Sequence, residues 1–103
     1  MPETVMIDAV RYTILRVKEP LILEGRACNA VVEYNTAQIK ILEGGNIGEG
    51  NLAKLLMHES VHALFFERGM TEAAADEELV SELSAGFVNL VRANPQLITF
   101  LQK

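Results

Sequence analysis

The run His58-Glu59-Ser60-Val61-His62 constrains this chain more than any other feature. It lies inside the best helical stretch of the sequence, and in an α-helix residues four apart sit one above the other on the same face. Two imidazoles at that spacing converge on one point beside the helix. Two neutral ring nitrogens make half of a tetrahedral zinc site. The glutamate between them stands next to the open coordination position, where it can accept a proton from water. These are the only two histidines among the 103 residues. A random chain of this length would carry the pattern on the order of once in several hundred cases. That rarity ranks a metal site above two histidines that happen to line a core helix.

A chain of 103 residues suits a single domain spanning 1–103, with roughly two thirds of its unfolded surface buried on folding. At 50% hydrophobic and 22% charged residues, one core can be built but little more. No apolar run approaches the roughly 20 residues that span a bilayer. Met1 to Met6 has neither the basic start nor the apolar core of a signal peptide, so cytoplasmic residence without a membrane is expected. Cys28 is the only cysteine, which excludes an internal disulfide. It reads as a small apolar packing residue, because both histidines that could activate it are better explained elsewhere. A net charge of −5 with nine scattered basic residues argues against a nucleic-acid partner, which requires clustered lysine and arginine.

The first half reads as strands. Val10 to Lys18 is rich in β-branched residues, Ala30 to Tyr34 is a second candidate and Gln38 to Leu42 a third. Asn35, Thr36 and Ala37 between the last two suit a hairpin. Leu21 to Gly25 is open between short strand and loop. Glu43 to Gly50 carries four of the seven glycines and marks the change to helices. It lacks the spacing and lysine of a phosphate-binding loop, so a flexible linker is expected. Asn51 is the expected N-cap of a helix over Leu52 to Arg68, ended by Gly69 and apolar on most sides. A second helix starts between Thr71 and Asp76 and runs to Arg92, with Val80, Ser84, Phe87 and Val91 as its stripe. The tail Gln96 to Leu101 would add a short amphipathic turn on the core. Strands followed by helices indicate an α+β domain, a small twisted sheet of about three strands packed on two helices.

A catalytic zinc takes three protein ligands, so the histidine pair is incomplete. A third histidine six residues after the second is excluded, since that position holds Arg68. A carboxylate from the second helix is the other completion, and Asp76, Glu77, Glu78 and Glu82 are available. Helical steps from Glu77 follow the small, apolar stripe, whereas steps from Glu78 lead to Glu82, Ala85, Asn89 and Arg92, a solvated face. A ligand must face the neighbouring helix, which ranks Glu77 first and Glu78 next. Glu78 with Glu82 could instead supply a ligand and a supporting carboxylate.

Leu56 to Leu64, placed after a glycine-bearing loop and before an acidic helix, resembles the ImmA/IrrE family of metallo-endopeptidases, above all its small phage and prophage members. The strand pair from Val32 to Leu42, the segment Asp76 to Val80 and the ending Val91 to Pro95 extend the likeness over residues 10 to 95. The resemblance implies a minimal zincin-like fold of the gluzincin type. It also implies zinc on His58 and His62, Glu59 as general base and Glu77 as the third ligand. The chain departs from the pattern at Ser81, where a carboxylate is expected one turn after the third ligand. Glu82 is displaced by one position, and the choice between Glu77 and Glu78 stays open.

The leading expectation is therefore a Zn2+ peptidase acting on a protein or peptide substrate, with Glu59 as proton acceptor and donor. Gln38 to Leu42, read as an edge strand, would hold an extended peptide by strand addition. Tyr12 and Tyr34 have hydroxyls suited to stabilising an oxyanion, although an ordinary strand tyrosine is the simpler reading of each. The alternative is a binding or regulatory module that uses the same zinc to hold two helices together without turnover. The presence of Glu59 argues against it, because a structural zinc has no use for a general base.

Overall fold

The computed structural model describes residues 1–44 and 47–103 of the chain. Six strands precede the helices: β1 (Thr4–Ile7), β2 (Val10–Val17), β3 (Leu21–Leu23), β4 (Arg26–Cys28), β5 (Ala30–Glu33) and β6 (Gln38–Leu42). Four of them form one mixed sheet in the order β1-β2-β6-β5. Its β1–β2 and β5–β6 pairs are antiparallel hairpins, and β2 runs parallel to β6 with Ile14 opposite Ile39. The domain is α+β, but the expected three strands are too few. β1, four residues long like β5, is the strand of this sheet that was not expected. The ambiguous Leu21 segment pairs with β4 as a separate two-stranded hairpin. Glu24 and Gly25 turn it with φ of 53° and 78°, and the second of these positions suits glycine.

Alternation builds the core. Tyr12 and Ile14 on β2, with Ile39 and Ile41 on β6, point to one face and are buried. Against that face lies the long helix α1 (Glu49–Glu67), whose Ala63 joins the core cluster with Leu52, Leu55, Leu56 and Leu64 packed around it. Burying each large apolar side chain contributes roughly 1.5–3 kcal/mol. β6 is thus a central strand, with β2 on one side and β5 on the other. The expectation that Gln38 to Leu42 forms an edge is corrected. Its two ladders are filled, and β5 is the edge that adjoins it.

α1 starts at Glu49, three residues earlier than Leu52, and its N-cap is Gly48 with no side-chain bond. Asn51 therefore lies within the first turn rather than capping it. Gly45 and Asn46, part of the expected linker, lie outside the described residues. Gly69, at φ 76°, follows the C-cap Arg68 and turns the chain. α1 is less enclosed than its composition suggested: Val61, His62, Ala63 and Glu59 are buried, while Leu55, Leu56, Met57, Leu64, Phe65 and Phe66 are half-buried.

The rest of the helical half divides into α2 (Thr71–Ala74), α3 (Glu77–Ala93) and α4 (Pro95–Leu101). Asp76 caps α3, its Oδ1 accepting from the Leu79 amide at 3.1 Å. α3 meets α1 through Val80, Ser84 and Val88, a ridge of steps of four. The expected stripe through Phe87 and Val91 drifts off that ridge, and both side chains are exposed. α4 buries no residue, so the tail does not pack on the core as expected; Phe100 is 69% exposed. No helix among the described residues is long and apolar enough to cross a membrane.

Candidate metal centre

The i, i+4 spacing on α1 brings the His58 and His62 rings to a centroid separation of 4.8 Å, with their Nε2 atoms 3.2 Å apart. The turn through α2 returns the chain across this face, and the Asp76 cap starts α3 so that Glu77 is its first residue. Glu77 then spans both rings. Its Oε2 lies 3.2 Å from His58 Nε2 and its Oε1 2.7 Å from His62 Nε2. One ligating atom from each of the three residues falls within 4.8 Å of the other two, so the group could hold a metal ion. Glu78 and Glu82 are exposed and stand outside the cluster, and Asp76 is occupied as a cap.

Proton placement makes this cluster unusual. His62 Nδ1 lies 2.6 Å from the Ala74 carbonyl oxygen, which can only accept, so Nδ1 carries the hydrogen. With Nδ1 committed to that carbonyl, Nε2 is the His62 nitrogen that faces His58 and Glu77. Burial, reinforced by the neighbouring His62 and opposed by Glu77, pushes the His58 pKa below its usual value of 6.5. Two imidazole Nε2 atoms and a carboxylate therefore converge at contact distance, an arrangement that a shared cation reconciles, either a proton on a ring nitrogen or a metal ion. Zinc bonds of about 2.0–2.2 Å in a tetrahedron set ligand atoms roughly 3.3 Å apart. The two Nε2 atoms are 3.2 Å apart, close to that value, while Glu77 meets the two rings with different oxygens, so that one ligand atom from each residue lies within 4.8 Å of the others; the donor set fits.

Glu59 lies on the same helix, only 6% exposed, and its Oε2 has no hydrogen-bond partner among the described residues. Burial pushes its pKa up to about 7, with His62 opposing the shift and Glu77 adding to it. An orphaned buried carboxyl oxygen is costly, of order 1–3 kcal/mol, and such groups concentrate where chemistry needs them.

The two tyrosines separate. Tyr12 is fully buried, and its hydroxyl donates to Glu67 Oε2 at 2.6 Å, which removes it from the site. Tyr34, just after β5, stacks on Phe66 with centroids 4.1 Å apart and planes 5° from parallel. Burial first, then the charges of Glu59 and Glu77, raise the Tyr34 pKa, so its hydroxyl keeps its proton within the field of the site. Arg68, at the position of the excluded third histidine, is directed to Asp8, with Nε and Nη2 at 3.0 and 3.1 Å from the two carboxylate oxygens. Cys28 is half-buried, its Sγ 3.5 Å from the Arg26 carbonyl.

A cavity of about 480 Å³ opens from His58 along α1 and α3, walled by Asn29, Asn51, Lys54, Leu55, Ser81 and Ala85. Sequence reasoning missed Lys54, although it lies four residues before His58, the same spacing that exposed the histidine pair. The Ala74 carbonyl left no trace in the sequence, because a backbone acceptor has no residue type. No family model, no curated protein and no solved structure matches this chain.

Proposed function

We propose that this domain is a zinc metallopeptidase of the zincin type, in which His58, His62 and Glu77 would hold the ion. The observation that carries the reading is the Oε2 of Glu59, without a partner among the described residues and buried beside the converged His58, His62 and Glu77 side chains. A structural metal needs no such carboxyl, and a buried acid without a partner is hard to explain otherwise. The resemblance of Leu56 to Leu64 and of the following acidic helix to the ImmA/IrrE peptidases agrees with it.

When bound, zinc supplies Lewis acidity, polarising a carbonyl and lowering the pKa of water from about 16 toward 7. The chain's own groups do the rest. Glu59 Oε2 accepts a proton from the attacking water and passes it to the departing amine, both within a low-dielectric wall. The Ala74 carbonyl holds the His62 tautomer and ring orientation. Tyr34 offers a proton-bearing hydroxyl to an oxygen that gains charge. The outer edge of β5, which has no ladder partner among the described residues, would hold an extended peptide by strand addition.

A docking module built on the same metal is the second reading, favoured by the exposed Phe87, Leu90, Leu97 and Phe100 on α3 and α4. Glu59→Gln separates the two. The variant should keep its metal and its fold while peptide cleavage falls by at least about a hundredfold. Cleavage at the wild-type rate by zinc-loaded Glu59→Gln protein would exclude Glu59 from the chemistry and sink the peptidase reading.

A further inference from the structure

The cavity that opens from His58 has one side chain of fixed charge among its described lining, and that is Lys54. Lys54 is exposed and makes no ion pair among the described residues, as is true of most of the basic side chains; its place in the cavity is what distinguishes it. Apart from His58, the side chains around it are uncharged and polar (among them Asn29, Asn51 and Ser81) or apolar (among them Leu55 and Ala85). A fixed cation among uncharged neighbours, on the wall that ends at the His58 of the metal centre, favours a carboxylate.

The direction of the groove follows from two contacts. Asn29, just before β5, lines the cavity with Asn51 and Lys54 near the start of α1. Tyr34, just after β5, stacks on Phe66 near the end of α1. β5 and α1 therefore run the same way. A peptide added antiparallel to β5 would point its C-terminal side toward Lys54. Four helical residues rise about 6 Å, which an extended peptide covers in roughly two residues.

The geometry points to a carboxylate subsite at Lys54, on the C-terminal side of the cleaved bond and within about two residues of it. The carboxylate comes either from an aspartate or glutamate side chain or from a free C-terminus. This deepens the peptidase reading and rests on it for the position of the cleaved bond. The presence of the subsite itself is open to a binding measurement that needs no turnover.

Zinc-loaded Glu59→Gln protein is titrated with three peptides: a blocked pentapeptide with a central glutamate, its glutamine counterpart, and the glutamine peptide with a free C-terminus. Amide shifts of Asn51, Leu55, Ser81 and Ala85 report binding in the groove. One carboxylate probe should bind about threefold or more tighter than the blocked glutamine peptide, as expected for a solvent-exposed pair, with the gap narrowing as salt is added. Whichever probe is preferred names the source. Lys54→Met should erase the preference and Lys54→Arg should keep it, both with unchanged melting temperatures. Equal affinity of all three peptides, shifts mapping elsewhere, or a preference that survives Lys54→Met would overturn the subsite. Carboxylate preference in a protein that cleaves nothing supports the subsite and ends the peptidase reading. Cleavage indifferent to glutamate or glutamine, without carboxylate-selective binding, does the reverse.

Discussion

His62 Nδ1 sits 2.6 Å from the carbonyl oxygen of Ala74, so a backbone group on a four-residue helix decides which nitrogen of His62 is free to bind metal. Such supporting bonds typically carry one to two orders of magnitude of metal affinity. Ala75→Pro tests the link, because a proline biases the residue before it away from helical backbone and would swing the Ala74 carbonyl aside. Zinc affinity, measured by competition with a chromophoric chelator, should fall about tenfold while the sheet remains folded. An unchanged affinity would mean that the ring holds its orientation without Ala74.

Glu59 should destabilise the metal-free fold as pH rises. Its folded pKa of about 7 lies above the ordinary 4.5, so the folded protein holds this proton more tightly than the unfolded chain. Stability is thus lost between pH 4.5 and 7 and the loss is constant above, up to about 3 kcal/mol. Glu59→Gln carries no charge to desolvate. In chelator, the variant should melt higher than wild type at pH 7.5, and that advantage should vanish near pH 4.5. A pH-independent difference would assign the gain to packing rather than ionisation.

Removing the metal should cost stability directly. With zinc at roughly a thousand times its dissociation constant, binding adds about 4 kcal/mol to the folded state, equivalent to at least about 10 °C in a domain of this size. Differential scanning calorimetry with and without chelator measures it. Identical melting temperatures would show that His58, His62 and Glu77 stay together without a metal ion.

Tyr34→Phe isolates the hydroxyl. The stack on Phe66 needs only the ring, so the melting temperature should stay within about 2 °C of wild type. Removing one donor to a developing oxyanion lowers kcat by about a hundredfold, with KM little changed. An equal kcat in the variant would leave Tyr34 a purely structural residue.

How much of this was legible in the sequence varied by element. The histidine pair was readable because i, i+4 spacing converts directly into convergence, and the strands of β2, β5 and β6 because their β-branched runs are long enough to stand out. Glu77 could be ranked ahead of Glu78 from the face it shares with Val80 and Ser84. The β3–β4 hairpin has three residues per strand, too few for a period to register, and β1, no shorter than β5, went unread. That Gln38 to Leu42 is central rather than an edge is a property of topology: a parallel partner from β2 lies more than 20 residues away, and no local pattern encodes it. The exposure of α4 follows from the turn at Asn94-Pro95, which carries the tail off the core however amphipathic it reads.

Zinc stoichiometry combined with ligand substitution tests the metal centre most directly. Purified protein, supplied with zinc and desalted, should retain about one equivalent per chain by elemental analysis, and Glu77→Ala should retain far less while Glu78→Ala matches wild type. Retention below about 0.2 equivalents by the wild-type chain, or equal retention by Glu77→Ala, would contradict a site built from His58, His62 and Glu77.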